Sequence, residues 1–287
     1  MIVDIGGIPT IFDEKKIGEM KSRNTGESYS KPKVKKVTFN EEAHSYTADG
    51  SGRKYISATT IIGKFKAPFD KVAVSTAYAK KHGQTPEYWQ AEWAKISKIA
   101  CDKGTAFHKR QEDAMIKNGA VLKDKKLIPV HIKDTLEKSS HNYRDLPDGV
   151  YPELLMWNHY FELAGIADII TIEGNYFDID DYKTNKKIDK FSFCHPKTGY
   201  KKMMFPLQHL QDCNFNHYQL QLSIYAFMLE QLSGKKCRSI CFHHHPAKPD
   251  NPLEAQDEGI RYDVKYLKKE VLDMLAVYTK KDITQFK

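Results

Sequence analysis

Hydrophobic and polar positions change period several times along this chain, and each change marks an element. In VTFNEEAHSYTADGSGRKYIS, from Val37 to Ser57, two β-prone runs flank DGSG, which predicts a hairpin with a glycine turn. Residues 58–118 are patterned mostly as helix. Within them AYAKKHGQTPEYWQAEWAKISK interleaves aromatics with lysines. Two readings fit: a surface on which single-stranded bases stack, or an amphipathic helix whose Trp89, Trp93 and Ile96 face the core, and the second is preferred. A helical insertion is expected around residues 128–143. PELLMWN, FELAGIADIITIEG and NYFDIDDYKT follow as three short strands with turn signals between them. KTNKKIDKFSFCHPKTGYKK reads as a basic loop and HLQDCNFNHYQLQLSIYAFMLEQL as a strong helix. RSICFHHHP reads as a buried strand and YDVKYLKKEVLDMLAVYTKK as a closing helix. This order predicts an α/β fold around one mixed sheet. Residues 1–34 read as a flexible basic leader, with Lys31, Lys33, Lys35 and Lys36 gathered about Pro32. Residues 35–287 read as a single domain, its core over 100–280 and a hairpin and helical decoration over 35–99.

Composition narrows the class. With 287 residues, 40% of them hydrophobic and 29% charged, the chain has the make-up of a soluble globular protein. No apolar stretch approaches the roughly 18 residues of a membrane span. The start, MIVDIGGIPTIFDEKK, has no signal-peptide pattern, so a cytoplasmic location is expected, or the cytoplasm of a host cell. Five cysteines without a CxxC pair argue against a disulfide framework and give a zinc site little support. Cys237 and Cys241 lie four apart in a strand-like run, where that spacing does not suit a metal clamp. The net charge of +8 fits a nucleic-acid partner without deciding for one.

The chemistry gathers in FDIDDYKTNK, residues 177–186. Alternation along a strand puts Asp181 and Lys183 on one face and Asp178, Asp180 and Tyr182 on the other. Asp168 precedes Asp181 by 13 residues (181 − 168), room for a strand, a turn at Glu173-Gly174-Asn175 and a return strand. A hairpin there sets Asp168 near Asp181. Two carboxylates and a lysine on one sheet face make a site for a hard cation such as Mg²⁺ or Mn²⁺. Taken alone, DYK reads as a salt-bridged surface strand, because the tripeptide is common, and its surroundings change that reading.

Those surroundings are GTAFH with Gly104 and His108, the acid of PELL at Glu153, GIAD with Asp168, DYK with Asp181 and Lys183, and QLSIY with Gln221 and Tyr225. In this order they resemble the motifs of PD-(D/E)XK nucleases of the RecB-like branch, which includes phage-encoded exonucleases and the mitochondrial genome maintenance exonuclease. The matching motifs span residues 104–225. The resemblance implies a restriction-endonuclease-like core, a mixed central sheet flanked by helices, here with an N-terminal hairpin and helical decoration. It implies Mg²⁺ or Mn²⁺ held by His108, Asp168 and Asp181, with the Tyr182 carbonyl as a further ligand, and Lys183 as the catalytic lysine. Glu153 is placed at the site's edge, on a metal-bound water or a second ion. Gln221 and Tyr225, on one helix face, are placed toward the active site and the DNA backbone. Glu112 reads as a partner in a helix salt bridge rather than as a group orienting His108. His243, His244 and His245 lack an acidic neighbour in sequence and read as structural or phosphate-facing.

The chain departs from cluster-bearing relatives in lacking their C-terminal cysteine triplet, so no iron–sulfur cluster is expected. It also lacks GxxxxGK[ST], so no helicase motor is present. The implied activity is a metal-dependent deoxyribonuclease, foremost an exonuclease on single-stranded DNA ends in phage recombination, repair or genome processing. DNA is the expected partner, together with a recombination or replication protein, and no membrane. A structure-specific endonuclease and a non-catalytic nucleic-acid-binding protein of the same fold are the alternatives.

Overall fold

In the computed structural model, residues 36–48, 52–123, 125–132, 143–249, 251 and 253–287 are described. The leader expected over 1–34, the tip of the DGSG hairpin and much of the insertion expected over 128–143 lie outside them. In chain order the sequence forms β1 (Val37–Asn40), β2 (Ser45–Ala48), β3 (Lys54–Ser57), α1 (Ala58–Gly63), α2 (Lys71–His82), α3 (Pro86–Asn118), β4 (Ala120–Lys123) and β5 (Lys126–Pro129). Then come β6 (Gly149–Asn158), β7 (Leu163–Glu173), β8 (Tyr176–Lys183), β9 (Cys194–His195), β10 (Gly199–Tyr200), α4 (Asn214–Ser233), β11 (Lys236–His244), β12 (Ile260–Val264) and α5 (Lys268–Thr279).

The architecture is α/β, with a mixed eight-stranded central sheet flanked by helices. Its order is β1-β2-β3-β7-β8-β11-β12, with β6 beside β7. The β3–β7 and β8–β11 pairs are parallel, and the others are antiparallel. The three-strand meander forms as the alternation predicts. Gly174, at φ 57°, and Asn175 make the two-residue turn between β7 and β8, where glycine tolerates a left-handed backbone.

β6 occupies one edge of β7 from Ile172 down to Leu163. On the other edge β8 pairs with residues 169–173, whereas β3 reaches only Leu163 and Ala164. Residues 165–168 lie between them, so the sheet forks at that point. α4 is apolar on nearly all sides, with Leu220, Leu222, Ile224, Phe227, Met228 and Leu229 buried. Such a helix belongs in an interior, and this one packs on β6 and β11 beneath α5.

Three expectations are corrected. Residues 128–129, where the expected helical insertion begins, are not helical but end β5, which pairs with β4 as a ribbon turning at Lys125, φ 65°. The two-residue alternation of AVLK and KLIP overrides the helical reading there. The C-terminal helix begins only at Lys268, because Ile260–Val264 alternates as a strand and extends the sheet beside β11. Ile96 does not face the core and is 62% exposed. Trp89 and Trp93 instead meet Tyr78 of α2 edge-on, at 4.7 and 5.6 Å between ring centroids.

On the sheet face opposite Asp181, Asp178 receives Arg238 at 2.6 and 3.0 Å, Ser239 at 2.7 Å and Lys123 at 3.0 Å. Burial alone would raise its pKa, but these donors outweigh burial and hold it well below the usual carboxylate range. A depressed pKa contributes stability above the unfolded value of about 3.9, and that contribution is lost as pH falls further. Arg238 is half exposed, so solvent screens part of the interaction. Asp178→Asn is therefore expected to cost about 2 kcal/mol at pH 7 in urea unfolding. The gap from wild type should close below about pH 4; a gap that stays constant into acid would contradict the assignment.

Candidate metal centre

Strand register assembles the carboxylates. Ile169 pairs with Asp180, so the next position sets Asp168 across from Asp181. Pro152 pairs with Ile169 and Leu154 with Ala167, which sets Glu153 across from Asp168 on the third strand. This register carries Asp168 to the position opposite Asp181, and Asp168 stands at the fork. Glu153 has φ 49° in the middle of a strand, a left-handed conformation that costs a non-glycine residue on the order of 1 kcal/mol.

α3 supplies the imidazole. Thr85 caps its first turn, and Gly119 ends it in a left-handed conformation with its N–H on the Met115 and Ile116 carbonyls. Of its 33 residues only Phe107 is buried, packed edge-on to Tyr182 at 5.5 Å and against His245 at 4.5 Å. The next residue, His108, places Nδ1 3.2 Å from Asp168 Oδ1. One donor atom each from His108, Glu153 and Asp168 lie within 4.8 Å of one another. The Tyr182 N–H donates to Asp168 Oδ2 at 2.6 Å. Lys183 Nζ lies against the Asp181 carboxylate and 4.9 Å over the Tyr218 ring.

The glycines of two motifs now have physical reasons. A Cβ on Gly104 would stand 3.2 Å from Thr184 Oγ1, so α3 can approach the end of β8 because that side chain is missing. A Cβ on Gly165 would stand 2.5 Å from Tyr225 Cε1. Gly165→Ala is therefore expected to destabilise the fold by about 2 kcal/mol, through displacement of the tyrosine ring. Urea denaturation measures this, and an unchanged midpoint would show that the ring does not depend on the glycine. Tyr225 is buried, and burial followed by the charge of Asp181 drives its pKa far up. Its hydroxyl accepts from Gln221 Nε2 at 2.9 Å. Gln221 itself lines a cleft of about 180 Å³, together with Thr59, Lys66, Asn214, His217 and Tyr218. Of the two, Gln221 faces open space, and Tyr225 supports it from below.

Charge is unbalanced here. Burial pushes the Glu153 pKa up to about 8, with the Asp168 charge adding to it. Burial and Asp168 raise Asp181 to about 6 despite Lys183. Asp168 is buried as well, yet its hydrogen bond to His108 and the charges of His108 and Lys183 bring its pKa below the ordinary value. His108 and Lys183 lose by burial but gain more from the carboxylates, so both pKa values rise. Asp181 Oδ2 is fully buried and, the Lys183 ammonium aside, meets no donor in hydrogen-bonding geometry among the described residues. Two converging carboxylates and an imidazole form a donor set that fits a hard or borderline dication, and the charge of Asp181, with its under-satisfied oxygen, acts on it from beside.

The remaining candidates divide into those whose partners the sequence anticipates and one whose partner it does not. Glu112 pairs with Lys109 at 3.0 Å, as the salt-bridge reading expected. His244 meets the Asn185 carbonyl at 2.7 Å and His245 the Gln256 carbonyl at 2.9 Å, both structural roles. His243 does have an acidic partner, Asp180 at 2.9 Å. Parallel pairing of β8 with β11 brings the two together across 63 residues, and no local sequence signal reports that. Lys66 and His217 in the cleft were likewise not singled out, since neither belongs to a motif. No protein-family model matches the chain, and no curated protein matches it.

Proposed function

We propose that this chain is a metal-dependent DNA nuclease with a restriction-endonuclease-like core, of the PD-(D/E)XK superfamily and the RecB-like branch it resembles. Its reaction is hydrolysis of phosphodiester bonds, with single-stranded DNA ends as the preferred substrate. The observation that carries this reading is the convergence of His108, Glu153 and Asp168 at the fork of the sheet, with the charges of the Asp181–Lys183 pair beside them. His108, Asp168 and Asp181 would hold Mg²⁺ or Mn²⁺, with Glu153 and the Tyr182 carbonyl completing the set. When bound, such an ion offsets phosphate charge and makes a nearby water more acidic.

The chain's own groups do the rest. The Tyr182 amide fixes one oxygen of Asp168 and leaves the other toward His108. Lys183, with its raised pKa, is an ammonium at neutral pH. It therefore donates, to the attacking water or to a phosphate oxygen on which charge grows, and does not accept the water's proton. The Tyr218 ring and the Asp181 carboxylate hold it in place. Gln221, seated on Tyr225, offers its amide to the sugar-phosphate backbone in the cleft beside Lys66. Location in the cytoplasm and a recombination or replication partner belong to the same proposal.

The test is cleavage of end-labelled linear single-stranded DNA, its duplex, a circular single strand and an RNA of the same sequence, with Mg²⁺ or Mn²⁺ and in EDTA. Metal-dependent shortening of the linear strand with an intact circle is expected, and the label reads the polarity. A cut circle would make the protein an endonuclease. Binding without cutting under any metal would make it a nucleic-acid-binding protein and overturn the proposal.

A further inference from the structure

We propose that Asp180, Cys241 and His243 form a second metal site, distinct from the one at the fork, which takes a zinc-class dication through Oδ1, Sγ and Nε2. Asp180 and Asp181 are adjacent on β8, so their side chains leave the sheet on opposite faces. Asp180 pairs in register with Cys241, and His243 follows two positions along the same strand. All three donors thus sit on one face of two hydrogen-bonded interior strands, with β12 closing the far side of β11.

The donor atoms are already grouped for coordination. Sγ to Oδ1 is 2.8 Å, Nε2 to Oδ1 is 2.9 Å and Sγ to Nε2 is 3.6 Å. Zinc bonds of roughly 2.0 Å to nitrogen or oxygen and 2.3 Å to sulfur, at tetrahedral angles, give donor separations of about 3.3–3.7 Å. The Sγ–Nε2 separation already fits, while Nε2–Oδ1 must open by about 0.4 Å and Sγ–Oδ1 by about 0.7 Å. Thiolate and imidazole together favour zinc-class ions over magnesium, which prefers oxygen alone.

A cysteine nucleophile activated by a histidine–aspartate pair is the rival use of these residue types, and the geometry excludes it. Such a relay needs one imidazole nitrogen on the sulfur and the other on the carboxylate. Here the same Nε2 faces both. Without an ion, the thiol and imidazole protons share the single oxygen Oδ1. Ligation releases the thiol proton and shifts the imidazole proton from Nε2 to Nδ1, which frees Nε2 as a donor atom. Lys123 and Arg261 each stand 3.7 Å from an Asp180 oxygen. Their charge is offset by Asp178 and Asp263, which they contact directly.

The inference does not depend on the nuclease reading. Its test is titration of the purified chain with Co²⁺, read as thiolate-to-cobalt charge-transfer absorption and reversed by Zn²⁺. Wild type is expected to show the band, and Asp168→Asn, altered at the fork, is expected to keep it. Cys241→Ser should lose it, and His243→Ala should weaken cobalt binding by at least about tenfold, since even outer-shell changes cost that much. No band in wild type overturns the proposal, as does a band persisting in Cys241→Ser, which would assign the sulfur to another cysteine. If Cys241→Ser does not fold, His243→Ala at its 27% exposed side chain reads the same site, and unchanged cobalt affinity there overturns it.

Discussion

Lys183→Ala is expected to slow metal-dependent cleavage by about 10²–10³-fold, the scale of removing one positioned donor from a charge-developing transition state. DNA binding should change little, because the ammonium is buried against Asp181 and Tyr218 rather than spread along a surface. The same substitution carries a structural cost. Asp181 is 2% exposed, and Lys183 is its ion-pair partner. Removing one member of a buried pair typically costs about 3 kcal/mol or more, because the remaining charge is left uncompensated. In EDTA the variant should therefore melt below wild type, and Mn²⁺ should recover part of the difference by supplying positive charge to Asp181. Lys183→Arg should not restore cleavage, since a planar guanidinium does not replace a compact ammonium in that position. Single-turnover cleavage, with folding checked by circular dichroism, separates the two effects. A folded Lys183→Ala protein that cuts at the wild-type rate would remove the lysine from the mechanism.

Glu153→Gln is expected to act in the opposite direction on stability. Glu153 shares its site with His108 and Asp168, with the Asp181 charge nearby, and among the described residues it forms no ion pair with lysine or arginine. Without metal its carboxyl, raised to about 8 by burial and then by the Asp168 charge, must take up a proton on folding at neutral pH, which costs stability, and it does so on a strained backbone. Replacing it with a neutral amide should raise the stability of the metal-free protein by about 2 kcal/mol at pH 7, while lowering cleavage. The gain should shrink toward about pH 4, where the unfolded chain also holds that proton. The stabilisation by Mn²⁺, measured as the shift in thermal midpoint between EDTA and saturating metal, should accordingly be smaller in Glu153→Gln than in wild type. Glu153→Gly should gain further by relieving φ 49°. A lower midpoint for Glu153→Gln in EDTA, with undiminished response to Mn²⁺, would refute this account of the charge balance.

Much of this was legible in the residues because it rests on short-range periodicity. The β6–β8 meander, the opposite faces of Asp180 and Asp181, and the meeting of Asp168 with Asp181 all follow from a period of two and a glycine turn. The helical identity of α4 follows from apolar residues over several turns. What was not legible depends on long-range pairing. Asp180 meets His243 only because β11 returns parallel to β8 after a crossover through α4. Lys66 reaches the cleft because α1 packs beside α4, and nothing in the lysine's own neighbourhood signals it. The end of β5, at 128–129, was misread because a short apolar run fits either period. Ile96 was placed in the core on helical spacing alone, although α3 runs for about 50 Å and only part of it lies over the sheet.

That helix has one more consequence. The carboxylates belong to a hairpin meander whose contacts are close in sequence, whereas His108 arrives from 60 residues before Asp168 on a helix held to the sheet through one buried ring. Local unfolding free energy follows the amount of apolar surface that must be exposed, and Phe107 supplies little of it. α3 is therefore expected to open before the sheet and to carry the imidazole with it, so that hydrogen exchange, measured without metal, is faster along α3 than along β7 and β8. Any ligand that bridges His108 and Asp168 draws the helix back down, so substrate or ion binding and helix docking are one equilibrium.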